Sequence, residues 1–120
     1  MGQLKTHKDL DVWKEAMLLA KEVYLLTARF PKEEAYGLVS QMRRAAVSVP
    51  SNIAEGAARN SAKEFSQFLH ISLGSLAELE TQVFLSMELE YHIPAPVLQR
   101  IERVRKMLLG LVKHLRRKAG

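Results

Sequence analysis

The chain of 120 residues contains no cysteine, which removes disulfides and thiolate metal sites and makes an intracellular home the natural one. No apolar run approaches the ~20 residues of a membrane span, and no charged-then-apolar leader opens the sequence. The expectation is a cytoplasmic protein without membrane contact. Catalytic motifs are missing as well. There is no glycine-rich phosphate loop, no nucleophile elbow and no His-Glu-x-x-His. The four histidines (His7, His70, His92, His114) are scattered, and none stands in the Glu-x-x-His spacing that a di-iron bundle needs twice. Glu88 and His92 are four apart, but at a helix end that spacing reads as capping and solvation. We expect no catalytic residue, no metal and no cofactor, hence no enzyme.

What is present is ordinary in bulk and uneven in place. Hydrophobic residues make up 48% and charged residues 26%, the balance of a globular protein, and the length suits one domain. The net charge is +5. Between Arg100 and Lys118 eight basic residues face the single acid Glu102, whereas the rest of the chain is slightly acidic. Such asymmetry marks a nucleic-acid footprint.

The periodicity is helical throughout, with no strand signal. Residues 1–8 read as a loose arm, and 9–120 as one bundle domain. Asp9 or Asp11 is a candidate cap for a first helix carrying Val12, Trp13, Ala16, Met17, Leu19, Ala20, Val23, Tyr24 and Leu26. Phe30-Pro31 ends it. A second helix begins near Glu33 or Glu34, or after Gly37, and runs through Leu38, Met42, Ala45, Val49, Ile53 and Ala57. Pro50 either kinks it or splits it into two shorter helices. Ser61 with Glu64 fits a capping box opening a long third helix to about Tyr91. Its small residues Ser72, Gly74 and Ser75 form a notch for Pro50's region or for another subunit. After His92-Ile93-Pro94-Ala95-Pro96 comes a last helix whose Val97, Ile101, Val104, Leu108, Leu111 and Leu115 make a heptad seam. Four helices joined by short links make an all-α antiparallel four-helix bundle.

Residues 41–56, Gln-Met-Arg-Arg-Ala-Ala-Val-Ser-Val-Pro-Ser-Asn-Ile-Ala-Glu-Gly, are rich in small side chains and set polar groups among apolar ones. Taken with Tyr36-Gly37-Leu38, Gly74-Ser75-Leu76 and Glu78-Leu79-Glu80-Thr81, the stretch resembles the 23S ribosomal-RNA intervening-sequence proteins, over about Leu10 to Tyr91. That resemblance implies a four-helix bundle assembled as a ring-like homopentamer, with a kinked second helix. It also implies proteins often encoded within insertions in ribosomal RNA genes, with no established enzymatic activity. The family is related in fold to the accessory variability determinant of diversity-generating retroelements, a basic pentamer that binds nucleic acid and a reverse transcriptase.

Two constellations follow. Arg44, Asn52, Glu55, Glu78 and Glu80 are expected to form a structural polar network that fixes helix register or joins subunits, because buried charges need partners. The basic face of the last helix, with Arg103, Lys106, Lys113, Arg116, Arg117 and Lys118, is expected to contact the phosphates of RNA or DNA. The alternative is a protein–protein module whose basic face meets an acidic partner such as a reverse transcriptase.

Overall fold

The computed structural model describes His7 and residues 10–119. It is built of α1 (Asp11–Thr27), α2 (Leu38–Ala57), α3 (Ala62–Glu88) and α4 (Ala95–Ala119), with a short 3₁₀ turn at Lys32–Glu34 between α1 and α2. No strand occurs among the described residues. Each helix packs on its two neighbours, α1 on α2 and α4, and α3 on α2 and α4, in an elongated bundle of 47 × 21 × 20 Å. The arm expected over 1–8 lies outside the described residues except for His7, whose ring meets Trp13 edge-on at 5.0 Å. Asp9 also lies outside them. The expected carboxylate cap of α1 is not made by Asp11, which is already the first helical residue behind Leu10.

One core fills the bundle. Leu19, Val23, Met42, Val49, Ile53, Leu69, Leu76, Leu79, Val83, Ile101 and Leu108 are all fully buried in it. The seam of α4 departs from the heptad at one position. Val97, Ile101, Val104, Leu108, Val112 and Leu115 are buried, and Leu111 is only half-buried. The register of Glu15 with Arg103 sets the start of α1 beside the middle of α4. Past that point the described bundle offers Leu111 no α1 neighbour, and burial moves round to Val112 on the side of α3.

Helix α2 passes through Pro50 without a break, so the two-helix alternative is out. Proline lacks an N–H and its ring crowds the preceding turn, loosening the carbonyls there. Side chains take up three of them in succession. Ser51 Oγ donates to the Val47 carbonyl (2.8 Å), Asn52 Nδ2 to that of Ser48 (2.9 Å), and Ser72 Oγ of α3 to that of Val49 (2.8 Å). Ser48 also meets Ser75 at 2.8 Å, so the notch of α3 does receive the turn before Pro50. Gly74 does not take part, since it points into open space. One turn from its end α2 comes closest to α3 at Gly56, where a Cβ would stand 2.7 Å from Phe68 Cβ and 3.2 Å from the Phe65 carbonyl.

The helix ends obey local chemistry. Ser61 caps α3 by accepting from the Glu64 N–H at 3.1 Å. At the other end Tyr91 N–H donates to the Ser86 carbonyl and Glu90 N–H to that of Met87, a Schellman turn. Glu90 takes the left-handed position there, φ 66°, where glycine is usual, at a cost on the order of 1 kcal/mol.

Candidate nucleic-acid interface

The cations of α4 fall into two groups by the direction in which they leave the helix. The first group flanks the buried seam. Arg100 reaches across to α1, donating to Glu15 at 2.6 Å and to Glu22 at 2.7 Å. Arg105 reaches the opposite way to α3, donating to Glu80 at 2.6 Å, and it also holds Glu102 within α4. Partial burial works against the charge of Arg100, but the hydrogen bond and charge of Glu22, aided by Glu15, outweigh it and hold the guanidinium above its ordinary pKa. The hydrogen bond from Glu80 does most to hold Arg105 above its own. These two arginines fasten the helix to its neighbours. Arg103 is intermediate, 3.4 Å from Glu15 with its side chain 61% exposed.

The second group faces water. At 100° per residue, Lys106, Lys113 and Arg117 leave α4 within about 40° of one another, opposite the seam. Arg116 leans toward the side of α3 and Lys118 toward that of α1, and all five are exposed. None of the five joins an ion pair among the described residues. Lys106 to Arg117 spans roughly 16 Å of helix. The one acid of α4, Glu102, is engaged by Arg105. The helix contains no aromatic residue at all. Its outer face can therefore attract phosphates but offers no ring for a base to stack on.

The six residues expected at phosphates thus share one helix, five of them uncommitted and Arg103 partly committed to Glu15. The largest cavity, about 760 Å³, lies at the far end of the bundle and is lined by Leu25, Phe30, Tyr91 and Val97 among others. None of the six lines it.

The polar network expected among Arg44, Asn52, Glu55, Glu78 and Glu80 does not assemble within the chain. Arg44, Glu55 and Glu78 are exposed. Asn52 bonds within α2, to the Ser48 carbonyl and hydroxyl. Glu80 leaves the other side of α3 and pairs with Arg105, while Glu78 accepts from Gln82 at 3.3 Å. Only Arg44 and Glu78 meet, on the walls of a shallow groove shared with Gln41, Ser48 and Ser75. The physical reason is angular: residues two apart on a helix diverge by about 200°, so Glu78 and Glu80 cannot serve one cluster.

The arginine that holds α2 to α1 is Arg43. Its Nε donates to Thr27 Oγ1 at 3.0 Å and its guanidinium lies 4.5 Å from the Tyr24 ring centroid. Thr27 in turn donates to the Val23 carbonyl, so Arg43 secures the last turn of α1. The available signal was the polar Thr27 at the end of an otherwise apolar α1 stripe.

Residues 8–110 match the family model described as 23S rRNA-intervening sequence protein. A crystal structure of a protein of unknown function from the S23 ribosomal protein family, from Bacteroides thetaiotaomicron, superposes with a TM-score of 0.61. The two are 20% identical over 87% of this chain and 94% of the other, so the likeness is one of fold. No curated protein matches the chain. Among the described residues, no helix is long and apolar enough to cross a membrane.

Proposed function

Because the chain belongs to the 23S rRNA-intervening sequence protein family, we propose that it is a non-enzymatic, cytoplasmic RNA-binding protein that holds phosphates along the outer face of α4. The observation that carries this reading is the row of exposed cations at Lys106, Lys113 and Arg117, flanked by Arg116 and Lys118, with no ion-pair partner among the described residues. The mechanism is release of counterions when lysine and arginine neutralise phosphate, with little readout of sequence. Without aromatics on α4, the favoured target is duplex or structured RNA rather than an unpaired strand. The oligomer that belongs to this reading is the pentamer implied by the family resemblance, with α2 bent at Pro50, and it would multiply the positive surface. That oligomer would act as a scaffold for a ribonucleoprotein.

The test is binding of the purified protein to a structured RNA and to a DNA duplex across a salt series. A steep loss of affinity with salt is expected, and each cation neutralised among Lys113, Arg116 and Arg117 should reduce the log–log slope by about 0.9. Absence of binding at about 50 mM salt would overturn the reading, because phosphate contacts are strong there. The basic row would then belong to an acidic protein surface.

A further inference from the structure

The outer face of α2 carries a second unused pair of charges. Ser40, Arg44, Val47, Ser51, Glu55 and Ala58 follow one another at helical spacing along it, and all six are exposed. The opposite face, with Met42, Val49 and Ile53, is buried. Arg44 and Glu55 are the only charges on the outer face, since Arg43 is turned onto α1. They stand eleven residues apart, which is three turns, about 16 Å along the axis and only about 20° different in direction. Neither has an ion-pair partner among the described residues. The surface between them is small and uncharged. Ser51 is folded back onto the Val47 carbonyl, and Val47 remains 42% exposed.

A nucleic acid would welcome Arg44 and be repelled by Glu55. An acidic protein would be repelled in the same way. The partner that fits presents an acid and a base at the same spacing in the reverse order, and an antiparallel copy of α2 does so. We propose that this face is a self-docking surface. Two chains meet antiparallel about a two-fold axis near Val49 and Pro50, with Arg44 of each chain on the partner's Glu55. In such an isologous contact one complementary pair is made twice. The small residues between the pairs let the two helix axes approach closely. Tyr36, wholly exposed, and Tyr24 rim the cleft of about 590 Å³ beside this face and widen the apolar contact.

This inference does not rest on nucleic-acid binding. A two-fold contact cannot close a five-membered ring, so it joins either two chains or two rings. The experiment is the solution mass, by light scattering and sedimentation, of the wild type, of Arg44→Glu, of Glu55→Arg and of the double variant. The wild type should be even-numbered. Each single reversal should halve the mass at a given concentration, and the double exchange should restore it because the reciprocal pairs are rebuilt with opposite polarity. Thermal melts verify that each variant is folded. A monomeric or odd-numbered wild type would overturn the proposal. So would folded single variants of unchanged mass, or a folded double variant that stays at half mass. RNA affinity is read separately on the Lys113 and Arg117 variants, so the two readings fail independently.

Discussion

The contact of α2 with α3 and the seating of α4 solve the same packing problem in opposite ways. Between α2 and α3 there is no ion pair among the described residues, and the helices are drawn together by what is small. Gly56 lies against Phe65 and Phe68, Ser48 meets Ser75, and Ser72 reaches the Val49 carbonyl. Helix α4 instead lays a seam of branched aliphatic residues into the core and is fastened at its edges by charge, Arg100 toward α1 and Arg105 toward α3. The first contact is limited by tenths of an ångström and is indifferent to salt. The second tolerates small displacements and weakens with salt. Charge on α4 therefore divides into what holds the helix and what the fold leaves free.

The largest effect should come from filling the tight contact. Gly56→Ala adds a methyl 2.7 Å from Phe68 Cβ and 3.2 Å from a backbone oxygen, atoms that cannot swing aside. Overpacking of this kind costs about 1–3 kcal/mol, and urea denaturation should register it equally at low and high salt. A wild-type midpoint would mean that α2 and α3 are not so close. Next comes Ser72→Ala, which takes the buried donor from the Val49 carbonyl. The loss should be about 1 kcal/mol, again without salt dependence.

Much of this was legible in the sequence, and the failures share a cause. Helix positions follow from periodicity, and the Ser61–Glu64 cap and the notch of Ser72 and Ser75 follow from local chemistry. Pro50 could not be resolved that way, because the donors that accommodate it include Ser72, twenty-three residues on. The seam of α4 was right to within one residue, and the exception, Leu111 against Val112, depends on where α1 begins. Polar partners were the hardest. Glu80 was assigned to a cluster with Glu78 when its partner Arg105 lies on α4. The angle between residues two apart already forbade the cluster. The seating of Arg105 depended on how α3 and α4 align.

Smaller effects should separate the edge of α4 from the α2–α3 contact. Arg105 and Glu80 are both about a quarter exposed, so their pair is partly screened. A double-mutant cycle with Arg105→Gln and Glu80→Gln should give a coupling of about 0.5–1 kcal/mol that shrinks as salt is raised. Coupling that did not change with salt would place the pair in the same class as the buried contacts of α2.

The smallest expected effect on stability bears most on function. Lys113→Gln removes a cation that no described residue engages, so packing and pairing are untouched. Two minor terms oppose each other. Losing a positive charge near the end of α4 forfeits about 0.3–1 kcal/mol of favourable interaction with the helix dipole. Relieving the like-charge repulsion between Lys113 and Arg117, four residues apart, returns about 0.2–0.5 kcal/mol. The net change in urea denaturation should stay within about 0.5 kcal/mol, while RNA affinity falls and its salt slope flattens. A loss of more than about 1 kcal/mol would give Lys113 a structural partner and move it into the group of Arg100 and Arg105. A neutral melt with weakened RNA binding would mean that the outer row serves a ligand, because cations that repel one another along a helix and hold nothing within the chain gain their stabilisation from phosphate alone.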